Sequence, residues 1–229
     1  MRRCIVRSRK TLSALAALLV ACGGSSSWVA PAPARGEEPA CRPAEIFATN
    51  NTAVSTDPDS SQSHDQLQLF EMQAATTIAQ NGAAMTGSRL VNGVLWSDEL
   101  HQNTYERSRE FHVCVVDAPT LHNVAEALRN QFDQGSVLTF EYLPQGAPAA
   151  NAFTIDVPDI DAPRLGQALM ADAVARDRLL GGSITTDDHT LILAAGNDDV
   201  DIARRLVNEA GGCWRAATIT YGRRELVET

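Results

Sequence analysis

Lysine is almost absent from this chain of 229 residues, since Lys10 is the single lysine in the sequence. The net charge is −9, so acidic side chains outnumber basic ones. Proteins that bind nucleic acids rely on clustered positive charge to contact phosphates. We therefore expect no nucleic-acid partner for this chain.

A long apolar segment is also missing at the amino terminus. The apolar run at residues 12–21 is about half of the ~20 residues that a membrane-spanning helix needs. Basic residues precede it, and a Gly/Ser stretch follows it. A charged start, a short apolar run and small residues at the cut are typical of a secretory signal. Residues 1–21 are therefore predicted to be a signal peptide.

The end of this run carries a further motif. Leu19, Val20, Ala21 and Cys22 resemble the lipobox of bacterial lipoproteins. The resemblance implies that Cys22 becomes the lipidated first residue of the mature chain, anchored on the extracytoplasmic face of a bacterial cell membrane. Two or more acyl chains suffice for stable anchoring. The alternatives are an uncleaved anchor helix and an ordinary secretory signal in which the cysteine is coincidental.

The residues after the signal have the composition of a linker. The segment 22–44 is rich in Gly, Ser, Pro and Ala, which favours a flexible tether over a packed element. Cleavage after residue 21 would remove five positive charges and take the net charge from −9 to −14. Such an acidic chain favours solubility and is repelled by anionic headgroups.

Catalytic motifs are likewise missing. The sequence contains no GxSxG, no Gly-rich phosphate loop and no HExxH, and its five histidines stand at no metal-ligand spacing. Its five cysteines form no CxxC pair. We therefore expect neither a cofactor nor a metal, and we favour a binding protein over an enzyme.

Alternating and helical apolar patterns fill the remainder of the chain. Each half, residues 45–146 and residues 147–229, is predicted to run strand-helix-strand-strand-helix-strand. This order resembles the ferredoxin-like fold. The resemblance implies an α+β protein made of two tandem ferredoxin-like βαββαβ units with antiparallel sheets. The alternative is one continuous α+β domain without repetition.

The same resemblance implies a disulfide. Cys4 and Cys22 are assigned to the signal and the lipid, which leaves Cys41, Cys114 and Cys213. In the ferredoxin-like order the first and third strands are neighbours, and this brings Cys41 close to Cys114 and leaves Cys213 unpaired. Cys41–Cys213 is the alternative pairing.

Two arginine clusters are candidate ligand-binding sites. Arg107 and Arg109 precede a predicted strand, and Arg223 and Arg224 lie near the end of the chain. Guanidinium groups bind carboxylate or phosphate through two parallel hydrogen bonds. The alternative is internal ion pairing with the acidic residues nearby in the sequence, Glu106, Glu110 and Glu225.

Three functions remain open from the sequence. The first is a lipid-anchored binding or assembly module of the cell envelope, which docks a protein partner on a polar sheet face carrying Thr139, Glu141, Thr154, Asp156, Thr218 and Thr220. The second is a small-ligand-binding protein with an arginine-lined cleft between the two halves. The third is an envelope hydrolase that uses Asp57, Asp59 and His64. The sequence leaves the oligomeric state open.

Overall fold

Eight strands and five α-helices make up the part of the chain that the structure, a computed structural model, describes. The described residues are 41–50, 55–57, 64–179 and 181–229, without the side chains of residues 64–67. The signal peptide, Cys22, the tether up to residue 40 and Asp59 lie outside them, so the predictions for those residues stay predictions. No helix in the described ranges is both long and apolar enough to cross a membrane.

The elements alternate along the chain as follows. The strands are β1 (Arg42–Ala48), β2 (Ala84–Ser97), β3 (Gln102–Val115), β4 (Ser136–Tyr142), β5 (Ala152–Val157), β6 (Gly181–Thr185), β7 (Leu191–Gly196) and β8 (Thr218–Glu228). The helices are α1 (His64–Gln80), α2 (Ala118–Gln131), α3 (Ala162–Ala171), α4 (Ala173–Leu179) and α5 (Val200–Glu209). β1 begins at Arg42, inside the segment that its composition assigns to the tether.

Local sequence signals explain where two of the helices begin. The Asp117 carboxylate accepts a hydrogen bond from the Thr120 backbone N–H at 2.8 Å and caps α2. Asp161 accepts in the same way from the Arg164 N–H at 3.0 Å and caps α3. Both helices carry proline in their first turn, where the missing N–H has no partner to lose.

All of the strand pairs are antiparallel, and they form one sheet. The order in the first half is β4-β1-β3-β2, and the order in the second half is β8-β5-β7-β6. The two rows join at both edges: Val91 of β2 pairs with Thr185 of β6, and Phe140 of β4 pairs with Arg224 of β8. The sheet therefore closes into an eight-stranded barrel.

This closure corrects the expected fold. The prediction of two tandem ferredoxin-like units with separate sheets is wrong, although the α+β class is right. A separate unit would leave its outer strands with unpaired N–H and C=O groups. Here the outer strands β2 and β4 of the first half pair with β6 and β8, so the backbone groups of one half satisfy those of the other.

The barrel has an outer face covered by helices and an inner face that surrounds a lumen. On the outer face, α1 and α2 bury Phe70 and Leu128 against Ile46 and Phe111 of the sheet. The helices of the second half bury a matching apolar layer on β5 and β7, with Phe153, Ile155, Leu165, Leu193 and Leu206. Side chains alternate along each strand, so the residues between these core positions point into the lumen.

The polar face expected from the sequence is divided by this alternation. Thr154 and Asp156 pair with Thr220 and Thr218 on the inner side of β5 and β8. Thr139 and Glu141 pair with the core residues Ile46 and Ala44, so they lie on the outer side of β4. The six residues therefore do not form one surface for a partner.

Candidate functional site

The inner face of the barrel carries charged side chains at one end of the lumen. Strand register places Glu45 opposite His112 and Arg89 opposite Glu110, all on the inner side. Glu45 and Glu110 are almost completely buried. We refer to Glu45, Arg89, Glu110, His112, Tyr142 and Asp156 as the lumen cluster.

Hydrogen bonds and close polar contacts connect the side chains of the lumen cluster. Arg89 donates from Nε and Nη2 to the two carboxylate oxygens of Glu110, at 2.7 and 2.9 Å. The Tyr142 hydroxyl donates to Oε1 of Glu45. His112 lies between the two glutamates, with Nδ1 3.6 Å from Glu45 and Nε2 3.7 Å from Glu110. The Asp156 carboxylate is 3.9 Å from Nη2 of Arg89.

The carboxyl groups of Glu45, Glu110 and Asp156 surround the single guanidinium of Arg89, so part of their negative charge is not compensated inside the barrel. Burial, followed by the neighbouring Glu110 charge, raises the pKa of Glu45 to about 8. Burial raises the pKa of Asp156 to about 6, against the opposing effect of Arg89. At neutral pH Glu45 is therefore largely protonated.

The lumen cluster also has the residue types of a metal site. Ligand atoms of Glu45, Glu110 and His112 lie within 4.8 Å of one another. However, the Arg89 guanidinium occupies both carboxylate oxygens of Glu110 and would repel a cation bound there. This donor set therefore fits a divalent metal poorly.

A cavity of about 570 Å³ occupies the lumen toward the opposite mouth of the barrel. Its walls are mainly apolar, formed by Phe47, Ala48, Leu95, Leu138, Leu179, Ile192, Ala194 and Leu226. At its mouth, Gln134 joins the end of β1 to the segment before β4 by accepting from the Thr49 N–H at 3.3 Å and donating to the Thr49 carbonyl oxygen.

Two charged residues line this cavity. Arg224 of β8 donates from Nη1 to the Ala194 carbonyl oxygen at 3.2 Å, and among the described residues it forms no ion pair. Glu106 of β3 lies three strands away around the barrel, and burial raises its pKa. The remaining cavity walls contain no other titratable side chain among the residues that the structure describes.

The four arginines proposed from the sequence do not form one site. Arg109 pairs with Glu71 of α1 at 3.0 Å on the outer face. Arg107 lies between the inward-facing Glu106 and Ser108, so it is on the outer face as well. Arg223 pairs with the buried Glu141 at 2.5 Å, also outside the lumen. Only Arg224 of these four lines the cavity. The alternative interpretation paired these arginines with Glu106, Glu110 and Glu225. In the described chain, Arg109 and Arg223 instead pair with Glu71 and Glu141.

Two cysteines lie close together at one end of the barrel. Cys41 directly precedes β1, Cys114 is the penultimate residue of β3, and the two form a disulfide with their Cα atoms 5.3 Å apart. This is the pairing expected from neighbouring first and third strands. Cys213 is disulfide-bonded as well, so the expectation that it is unpaired is wrong.

Sequence reasoning missed Glu106 and the cavity itself. Glu106 stands beside Arg107, so the sequence suggested an ion pair, whereas alternation along β3 places the two side chains on opposite faces. That alternation could have separated them. Which of the two faces is enclosed depends on barrel closure, and no local pattern indicates closure.

Fold and site together define an α+β protein in which an eight-stranded antiparallel barrel encloses a ligand-sized cavity. No protein-family model matches the chain, and no curated protein matches its sequence. Among solved structures, one described as a "putative monooxygenase" from Lactobacillus acidophilus NCFM matches 82% of this chain and 96% of its own, at 12% identity. Its TM-score of 0.25 is too low to carry an argument about activity, and no family is assigned.

Proposed function

We propose that this protein binds a small, largely apolar molecule inside the barrel. The observation that carries the proposal is the cavity of about 570 Å³ with apolar walls and an arginine that forms no ion pair among the described residues. Ligand sites in proteins are typically cavities of about 300–1,000 Å³, lined by apolar residues with a few polar groups. The cavity has that size and that lining.

The walls supply the binding free energy that such a ligand needs. Leu95, Leu138 and Ile192 line the cavity. Burial of apolar surface between these residues and a ligand contributes a binding free energy of about 25 cal/mol per Å². The polar groups of the neighbouring lumen cluster bind one another, whereas the guanidinium of Arg224 at the cavity end has no acidic partner among the described residues.

Ligand binding is better supported than the other two functions. The docking module was expected to use one polar sheet face, but the six residues of that face lie on opposite sides of the barrel wall. The hydrolase hypothesis depends on Asp57, Asp59 and His64. Asp59 and the His64 side chain lie outside the described residues, and that hypothesis stays untested.

The test is a titration with N-phenylnaphthylamine, a neutral dye that fluoresces in apolar cavities. The full chain is made by cell-free synthesis under oxidising conditions, which adds no lipid and requires no detergent. We expect saturable binding to the wild type and its loss in Ala194→Trp, because Ala194 lines the cavity and indole would fill it.

The matched control is Ile219→Trp, which adds the same side chain on the outer side of β8, where Ile219 is 36% exposed. This variant should bind the dye as the wild type does. Equal dye binding by Ala194→Trp and Ile219→Trp, with both variants folded by circular dichroism, would show that the dye binds elsewhere and overturn the proposal.

The location of the protein is a separate proposal that rests on the amino-terminal sequence. We propose that lipid on Cys22 anchors the chain to the extracytoplasmic face of a bacterial membrane, which presents the barrel to molecules of the cell envelope. Labelled palmitate should be incorporated into the wild type and into Cys4→Ser, but not into Cys22→Ser. Labelling of Cys22→Ser would contradict this proposal.

A further inference from the structure

We propose that the ligand is an organic acid, and that Arg224 binds its anionic group while its apolar part lies against the cavity walls. This inference rests on the proposed function and adds the chemical class of the ligand. It depends on how the charges of the lumen are paired, and not on the cavity volume.

Arg224 differs from the nearby arginines Arg223 and Arg89 in the group that accepts its hydrogen bond. Arg223, the adjacent residue, pairs with Glu141, and Arg89 in the same lumen binds both oxygens of Glu110. Arg224 has a carbonyl oxygen as its hydrogen-bond acceptor and, in the described part of the chain, no carboxylate. A half-enclosed guanidinium without a counter-ion has lost hydration that no acidic side chain replaces.

An anion entering the cavity would provide that counter-ion. A guanidinium binds a carboxylate or sulfonate through charge-assisted hydrogen bonds, which are about twice as strong as neutral ones. Leu226 and Leu138 lie near Arg224, since their strands pair Leu138 with Leu226 and Phe140 with Arg224. The site therefore presents a positive group beside an apolar surface, and this arrangement fits an amphipathic acid.

Glu106, the other charged residue of the cavity, does not prevent this binding. The Arg224 guanidinium donates to the Ala194 carbonyl oxygen and, among the described residues, forms no ion pair with Glu106. Burial favours the protonated form of Glu106, and a neutral carboxyl can donate a hydrogen bond to a second polar atom of the ligand. The cavity thus has one positive end and one end that is neutral when Glu106 is protonated.

The test compares N-phenylnaphthylamine with anilinonaphthalenesulfonate, which has nearly the same aromatic frame and an added sulfonate. The full chain should bind the sulfonate dye about tenfold more tightly than the neutral dye. Arg224→Gln should remove about that tenfold preference and leave the neutral dye's dissociation constant within about twofold. Arg223→Gln, which removes the neighbouring charge outside the lumen, should preserve the preference.

The possible results separate this inference from the proposed function. If both dyes bind equally tightly and Arg224→Gln changes neither, the anionic class is wrong and the apolar cavity stands. If neither dye binds, the proposed function and this inference both fail. Should Arg224→Gln be unfolded, Arg224→Lys keeps the charge without the planar fork. If Arg224→Lys still binds the sulfonate dye more tightly than the neutral dye, the inference is supported. If Arg224→Lys binds the neutral dye more tightly, the inference is overturned.

Discussion

Arg89 and Glu110 form a two-point ion pair inside the barrel, with Nε and Nη2 of the arginine 2.7 and 2.9 Å from the two carboxylate oxygens. The pair joins β2 to β3 and compensates one of the three carboxylates of the lumen cluster. Of the other two, Glu45 holds its proton up to about pH 8 and Asp156 up to about pH 6. The lumen is thus divided into an internally paired end and a cavity end whose arginine has no acidic partner among the described residues.

Stability is expected to fall as the pH rises from about 4.5 to about 8. The pKa of Glu45 is 4.5 when unperturbed and about 8 in the folded protein, so over this range the folded state holds a proton that the unfolded state has released. Asp156 acts in the same direction up to about pH 6. Urea unfolding at several pH values should show a loss of about 2–4 kcal/mol.

The variant Glu45→Gln isolates this contribution. The amide cannot ionise, yet it can still accept from Tyr142 and donate to Glu110, so most of the pH-dependent loss should disappear. Glu99→Gln, an exposed position, should keep the wild-type slope. A slope that is the same in wild type and Glu45→Gln would show that Glu45 is not the group that holds the proton.

Binding of the sulfonate dye should weaken as pH rises, because deprotonated Glu106 would place a negative charge in the same cavity. The pKa of Glu106 is raised by burial, and Arg224 is the other titratable group on the cavity walls described here. Glu106→Gln stays neutral at every pH and should flatten the pH dependence of the dissociation constant. Unchanged pH dependence in Glu106→Gln would place the titrating group elsewhere.

Removal of the Cys41–Cys114 disulfide should lower stability by about 2–4 kcal/mol, since the bond closes a loop with a sequence separation of 73 residues. Thermal unfolding of Cys114→Ser checks the magnitude. Non-reducing peptide mapping checks the pairing, and a peptide that links Cys114 to Cys213 would contradict it.

Gly181 is expected to be required where β2 meets β6. Its φ is +136°, and an added Cβ would overlap the Val94 carbonyl oxygen across this seam. Gly181→Ala should therefore cost about 2–4 kcal/mol of unfolding free energy, through backbone strain and the clash. Gly135→Ala is the control, since a Cβ there meets nothing within 4 Å. Equal stability of the two variants would argue against a closed seam at β6.

Much of the local structure could be predicted from the sequence, because its causes are local. Asp117 and Asp161 each stand before a helix with proline in its first turn, and they cap α2 and α3 as such residues should. Alternating apolar residues likewise mark β3 and β5, whose outer positions Phe111 and Ile155 are buried under helices.

Barrel closure could not be predicted in this way. It depends on β2 pairing with β6 and β4 pairing with β8, and these contacts join residues far apart in the sequence. Alternation along a strand indicates which residues share a face, but it does not indicate which face becomes enclosed. For this reason Arg223 and Arg224 were proposed together, although only Arg224 enters the cavity.

The most direct measurement of the central claim is a methyl NMR spectrum of the full chain, labelled at Ile, Leu and Val, with bound N-phenylnaphthylamine. If the ligand occupies the lumen, intermolecular NOEs will connect it to the cavity residues Leu95, Leu138 and Ile192. NOEs confined to the exposed residues Leu69, Val174 and Ile219 would contradict the account.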